Sequence, residues 1–380
     1  MSCYASVITS SSRGALAVLR VWGPRAVEVV GAVWRPRRGA GFEVSEVGRP
    51  RLGLIGAGLG DEVVATLISR APPRVELHGH GGSAALTLVL DALVAAGATV
   101  RPPSDWVRDE AGSALEAAAL VELARAPTAR VAEFLLDQSL GALRRALEET
   151  AELCAGGPDE LAAVRARLTR LIAVGRVGAR MVAGARAAIV GRPNVGKSSL
   201  LNALVGYERA IVDQAAGTTR DVVSARAALD GLPVEFVDTA GLRAARDDVE
   251  AAGVAAARGI RAVVDVVILV FDRSRPLASE DERLLAGRDD RTILVANKSD
   301  LPDAGRLASR GPMIEVSAAR GDGVDDLRAA IAARIAPHPP QPGEAAPFLP
   351  EHLAAIEAAL ELLHSDRPDA ARARLLALLG

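Results

Sequence analysis

Lysine is nearly missing from this chain: of 45 Lys and Arg residues among 380, only Lys197 and Lys298 are lysine. Arginine stands wherever a generic positive charge suffices. The two survivors therefore mark positions that need a compact ammonium on a flexible stem rather than a flat guanidinium fork. Asparagine is almost as scarce, and two of its copies, Asn194 and Asn297, lie beside those lysines. Cysteine is limited to Cys3 and Cys154, too few for a disulfide framework, which points to a reducing, cytoplasmic setting. Half of the residues are hydrophobic (50%), yet no apolar run reaches the roughly eighteen residues that span a bilayer. The start, Met1-Ser-Cys-Tyr-Ala-Ser6, has neither the basic opening nor the apolar stretch of a signal peptide. A net charge of −2 is no footprint of a dedicated nucleic-acid binder. Residues 1–80 do carry ten arginines against six acids. That excess can meet RNA phosphate, but a solvated surface in an arginine-biased chain is the plainer reading.

What is present is concentrated around the two lysines. Ala187-Ala-Ile-Val190 suits a buried strand and runs into Gly191-Arg-Pro-Asn-Val-Gly-Lys197-Ser198, followed by a helical Ser199-Leu-Leu-Asn-Ala-Leu204. Strand, glycine-bearing loop and helix in that order form a phosphate cradle. Backbone N–H groups surround the anion, Lys197 reaches the β- and γ-phosphates, and Ser198 can ligate Mg²⁺. Further along, Thr218-Thr219 sits in a polar loop, and Thr219 can offer its hydroxyl to Mg²⁺. Val234-Glu-Phe-Val237 is a strand ending in Asp238-Thr-Ala-Gly241, where Asp238 can hold the metal through water and the Gly241 N–H can meet the γ-phosphate. Two more buried strands, Val266–Phe271 and Thr292–Ala296, follow, and the second leads into Asn297-Lys298-Ser-Asp300. The Asp300 carboxylate can accept from guanine N1 and N2, a donor pair that adenine lacks, so GTP is selected over ATP. Ile314-Glu-Val-Ser-Ala318 completes the base pocket through the Ser317-Ala318 backbone.

The nucleotide set is therefore Asn194, Val195, Gly196, Lys197, Ser198 and Ser199, then Asp213, Gln214, Ala215, Ala216, Gly217, Thr218 and Thr219. Asp238, Thr239, Ala240 and Gly241 join it, with Asn297, Lys298, Asp300, Ser317, Ala318 and Ala319 around the base. Many signalling GTPases follow the second-switch glycine with a glutamine that orients water; here Leu242 stands there. Glu250, in Asp247-Asp-Val-Glu250, is the candidate to replace it. The plainer reading of Glu250 is an acid favoured by a helix N-terminus, and both readings stand at this point.

Three parts are expected from pattern changes, an α/β and α+β multidomain chain. Residues 1–103 alternate strands (Gly14–Arg20, Glu62–Leu67) with a helix over Ser83–Ala96, an α+β pattern. Residues 104–184 turn helical, with Ala114–Ala124, Val131–Cys154 and Glu160–Val174 carrying apolar side chains at three- and four-residue intervals. Residues 185–335 are the P-loop domain, a parallel sheet with helices on both faces. A proline-rich linker over 336–347 and helices Glu351–His364 and Ala370–Leu379 over 348–380 close the chain. A GTPase segment flanked by helices is most simply an insertion into one helical bundle.

These motifs resemble the MnmE (TrmE) family of tRNA-modifying GTPases over almost the whole chain. Asn194–Asn202, Ala210-Ile-Val212, Ala216-Gly-Thr-Thr-Arg-Asp221 and Asp238–Arg243 with Asp248-Val-Glu250 look like its GTPase core. Leu19-Arg20-Val-Trp-Gly-Pro24 and Val75-Glu-Leu-His-Gly-His-Gly-Gly82 look like its N-terminal folate-binding domain. The resemblance implies a homodimer that hydrolyses GTP with K⁺ activation and acts with a flavoprotein (MnmG, also GidA). Together they modify the wobble uridine of tRNA at C5, with a carbon from a tetrahydrofolate derivative. It assigns K⁺ to Asn194 and the loop Asp213–Thr218, with Asp213, Ala215 and Thr218 among its ligands, water polarisation to Glu250, and folate contact to Arg20 and Glu76. His78 and His80 flank a glycine at a strand end, where a structural role is expected.

Two family features are missing from the sequence: a Cys-x-Gly-Lys tail beyond Leu378-Leu379-Gly380, and a Lys-Leu-Asp-Leu stretch, in whose place stands Val107-Arg-Asp-Glu-Ala-Gly-Ser113. An alternative function follows. The chain is then a GTPase switch or assembly factor that has lost folate chemistry and acts through partner or ribosome binding.

Overall fold

Alternating apolar and polar side chains give the N-terminal strands one buried face. In β5 (Asp61–Arg70) Val63, Ala65 and Leu67 are buried while their neighbours are not, the period-two pattern of a sheet covered on one side. The computed structural model describes residues 2–9, 14–56, 60–206, 225–237, 264–304 and 311–380. It divides into two compact units, Met1–Gly112 and Ser113–Gly380.

The first unit is a seven-stranded sheet. Beside β5 it contains β1 (Tyr4–Val7), β2 (Leu16–Trp22), β3 (Trp34–Pro36), β4 (Pro50–Ile55), β6 (Pro73–His80) and β7 (Thr99–Val100), in the order β3-β4-β5-β6-β2-β1-β7. Every pairing is antiparallel except β1 with β7. Helices α1 (Ala26–Val33) and α2 (Ser83–Ala95) bring Val29, Val30, Val89 and Leu93 onto the buried face with Leu19, Val21, Val75 and Leu77. Helix α3 (Pro103–Glu110), grouped by its sequence with the helical segment, packs in this unit instead. The Trp22 indole N–H donates to Asp109 at 2.8 Å, and Arg74 pairs with Glu110 at 2.6 Å.

The second unit begins with four helices: α4 (Ala114–Leu123), α5 (Ala129–Ser139), α6 (Ala142–Leu153) and α7 (Pro158–Ala183). The single helix expected over Val131–Cys154 is two, because Gly141 takes φ 90°, a left-handed turn that glycine enters without penalty. A six-stranded sheet follows, built from β8 (Ala185–Val190), β9 (Ala225–Leu229), β10 (Leu232–Val237), β11 (Val266–Asp272), β12 (Thr292–Asn297) and β13 (Ile314–Val316), in the order β13-β12-β11-β8-β10-β9. Its pairs are parallel except β9 with β10. Strand β9 was not anticipated; it is added as a hairpin across Asp230-Gly231. That turn is fastened to the start of α5, where Thr128 donates to the Gly231 carbonyl at 2.6 Å and Arg130 pairs with Asp230 at 3.0 Å.

After the sheet the chain returns to the helices. The helix Pro350–His364 packs on α7, with Arg176 paired to Glu357 at 2.9 Å and Arg165 donating to the Leu363 carbonyl at 3.0 Å. The proline-rich stretch is not a free spacer. Buried Gln138 donates to the Glu344 carbonyl at 3.0 Å and accepts from the Ala346 N–H at 3.2 Å. Past the helix Pro368–Leu376, the Leu379 carbonyl accepts from the Ala114 N–H at 3.0 Å, which joins the two ends of the unit. Among the described residues no helix is long and apolar enough to cross a membrane.

Candidate functional site: a nucleotide cradle at the sheet edge

The apolar side chains of β8, β11 and β12 are buried along nearly their whole length. Strands covered on both faces place their loops at one edge, and in parallel sheets the carboxyl edge is where ligands bind. Three of the predicted segments leave the sheet there: Asn194–Ser199 after β8, Asn297–Asp300 after β12, and Ser317–Ala319 after β13. Strand β10 ends at the same edge, one residue before Asp238.

The phosphate loop is shaped by its backbone. Gly196 takes φ 97° and Asn194 φ 63°, and a Cβ added to Gly196 would collide with the Asn297 carboxamide. Gly196 caps α8 (Lys197–Val205) without a side-chain acceptor, so the positive end of the helix dipole faces the loop. The Lys197 ammonium donates to the carbonyls of Gly191 at 2.9 Å and Arg192 at 2.7 Å, which keeps it inside the concavity. Arg192 points outward and pairs with buried Asp281 at 2.9 Å. Asn194, Ser198 and Ser199 are exposed.

Asn297 joins the two halves of the site. Its amide N–H donates to the Val195 carbonyl at 2.8 Å, and its Oδ1 accepts from the Ala318 N–H at 3.1 Å, with the side chain 2% exposed. One buried side chain thus ties the phosphate loop to the base loop. Lys298, at φ 65°, reaches back to Asp272 at the end of β11, 2.6 Å away. Burial pulls the Asp272 carboxyl upward, but hydrogen bonds from Lys298 and Ser274 outweigh it and hold the group below the usual carboxylate range. Asp300 Oδ1 accepts from the buried Ser317 hydroxyl at 2.7 Å, and that bond chiefly holds Asp300 below its ordinary value. Ionised and fixed in direction, Asp300 presents an acceptor to two adjacent N–H donors.

Sequence reasoning located Asn297, Lys298, Asp300 and Ser317 without their partnerships. Asp272 was missed altogether; its signal is a lone acid ending an apolar strand. Asp213, Gln214, Ala215, Ala216, Gly217, Thr218, Thr219, Asp238, Thr239, Ala240, Gly241, Leu242 and Glu250 lie outside the described residues. In the other unit, Arg20 and Glu76 oppose one another across β2 and β6 and form an ion pair. The Arg20 guanidinium lies over the Trp106 ring at 4.0 Å. His78 approaches Glu76 at 3.4 Å and His80 meets Asp61 at 2.7 Å, pairings that suit a structural role.

The side chains of Ser198 and Asn194 make no hydrogen bond to other described residues. A free hydroxyl and a carboxamide oxygen are hard donors of the kind Mg²⁺ and K⁺ prefer, so both positions fit the ions that the sequence implies. No group of three or more His, Cys, Asp or Glu side chains capable of holding a metal occurs among the described residues.

A family model described as 50S ribosome-binding GTPase matches residues 186–298. The tRNA modification GTPase MnmE of Moorella thermoacetica is 34% identical over 369 residues, covering 85% of this chain and 79% of that protein. The same-named protein of Thermus thermophilus is 36% identical over 361 residues, covering 86% and 81%. Among solved structures, the G domain of the T. maritima FeoB iron transporter aligns with a TM-score of 0.30 at 25% identity, covering 40% of this chain and 98% of that one.

Proposed function

The chain belongs to the MnmE family of tRNA modification GTPases, and from that premise we propose that it couples a K⁺-dependent GTPase cycle to modification of the tRNA wobble uridine. It is a GTP hydrolase. The observation that supports the guanine-nucleotide part of the reading is the Asn297 bridge, which ties the phosphate loop to the loop of an oriented, ionised Asp300; the rest draws on the family. A purine with adjacent N1–H and N2–H donors satisfies Asp300 while its phosphates reach Lys197 and the start of α8.

Ser198 and Thr219, with Asp238 through water, would hold Mg²⁺, which neutralises phosphate charge when bound. Asn194, with Asp213, Ala215 and Thr218, would hold K⁺, which supplies the positive charge that an arginine finger supplies in other GTPases. Leu242 cannot orient water, so that task falls to Glu250. Loss of its carboxylate in Glu250→Ala should lower kcat by roughly a hundredfold with GTP affinity little changed; near-normal turnover would overturn the assignment. The partners proposed are a second copy of the chain, a flavoprotein of the MnmG type and tRNA.

Arg20 and Glu76 are proposed to meet a tetrahydrofolate derivative. The pairing of both with each other, beside the face of Trp106, supports a site for a flat, partly charged ring. A second reading, a switch without folate chemistry acting on a partner or the ribosome, draws on the family model's ribosome-binding description. Calorimetry with a reduced folate separates them: heat of binding that vanishes in Glu76→Ala supports the first, and no heat at millimolar ligand leaves the second.

A further inference from the structure

The first unit carries a basic concavity of about 620 Å³ beside its edge strand β3, lined among others by Arg37, Arg38, Arg49, Arg51, Val44 and Leu52. Glu46 is its one acidic lining residue. We propose that this surface grips the phosphate backbone of the tRNA, an inference that rests on the tRNA reading above and adds to it a place.

The concavity is held in shape from within. Arg51 donates to the Gly41 carbonyl at 2.6 Å, to Ser45 Oγ at 3.0 Å and to the Ala40 carbonyl, while Phe42 is fully buried beneath the loop. Arg51 is thus committed to the scaffold. The other three arginines face outward. Arg38 makes no ion pair or hydrogen bond to any described residue and is exposed. Arg37 pairs with Glu62, and Arg49 with Glu46 at 3.4 Å, but all four side chains are about half exposed or more. Exposed pairs of this kind contribute little, so a phosphate can replace the carboxylate at small cost. Val44 and Leu52 stand 58% and 47% exposed in the same concavity and can pack on ribose. A chain with net charge −2 has no general attraction for RNA, so contact must be local.

Arginines beside an edge strand also have a plainer use, since charge there discourages strand-to-strand association. The test separates the two. Affinity of the full chain for an unmodified tRNA transcript is measured by fluorescence anisotropy between about 50 and 200 mM KCl. Wild type is compared with the triple variant Arg37→Gln, Arg38→Gln, Arg49→Gln and with the matching triple lysine variant, all checked for an unchanged thermal melt. Loss of three phosphate contacts should flatten the salt slope by about two to three and weaken binding at low salt by on the order of tenfold or more. The lysine variant, which keeps the charges, should stay within about threefold of wild type.

An unchanged slope in the glutamine variant, with wild type binding tRNA, overturns this surface and leaves the tRNA reading standing. So does a loss that lysine fails to restore, or an oligomer that appears in place of lost binding. Wild type that binds no tRNA at all sinks both.

Discussion

His352 makes acid a specific stress on the helical frame. It sits in the helix Pro350–His364, 5% exposed, edge-on to Phe348 at 4.5 Å, with its Nδ1 unpartnered among the described residues. Burial lowers its pKa from 6.5 to about 4, against a small upward pull from Glu351. The unfolded chain therefore takes up a proton near pH 6.5, while the folded chain resists until about pH 4. Stability is lost across that window as pH falls, and levels off below it. At pH 4.5 the loss from this one group is about 2.5 kcal/mol, a substantial part of a typical domain's stability. Asp272, Asp289, Asp300 and Glu344 have pKa values lowered in the folded state, so their contribution is present above about pH 4.5 and is lost as pH falls below it. The windows barely overlap. Urea unfolding followed by circular dichroism from pH 7.5 down to 4.5 should show wild type losing that amount, while His352→Leu stays nearly flat. Parallel profiles for the two proteins would refute the assignment, and so would a leucine variant that is strongly destabilised at pH 7.5.

Other expectations follow from the nucleotide cradle. Ser317→Ala frees the Asp300 carboxylate to rotate and should weaken GDP binding by about 1 kcal/mol, roughly fivefold in Kd, read with a fluorescent GDP analogue. Asn297→Ala leaves the Val195 carbonyl and Ala318 N–H without their buried partner, a cost of about 1–3 kcal/mol for each. The apparent Tm without nucleotide should fall by several degrees. Replacing K⁺ by Na⁺ at equal ionic strength should depress GTP turnover, and Asn194→Ala should abolish the difference between the two salts.

The nucleotide motifs were legible because their chemistry is local. Spacing within Gly191–Ser198 sets a loop whatever surrounds it, and the apolar runs of β11 and β12 allow little but buried strands. Partnerships across the chain were not legible. Asn297 meets a carbonyl 102 residues away, and no pattern near Asn297 announces it. Strand β9 was hidden because Ala225-Arg-Ala-Ala-Leu229 is a weak run by itself, made a strand by pairing with β10. The break at Gly141 was missed because apolar periodicity continues through it. Period alone groups helix α3 with the helical segment, yet Trp22 and Arg74 hold it to the first unit. The linker was read from its prolines, while its docking depends on Gln138, a polar residue in an otherwise apolar face.

The bond from Ala114 to Leu379 has a meaning for synthesis. Helices α6 and α7 emerge from the ribosome with part of their apolar faces waiting for the helices Pro368–Leu376 and Pro350–His364, which do not yet exist. Arg165 must wait for Leu363, 198 residues later, which at roughly 5–20 residues per second is a delay of roughly 10–40 s. The nucleotide-binding sheet is completed inside that interval, before the bundle around it can close. GTP or GDP captured by the nascent chain would then stabilise the sheet as a finished piece around which the late helices assemble. The frame is completed after the sheet that it holds, although its first half is made early.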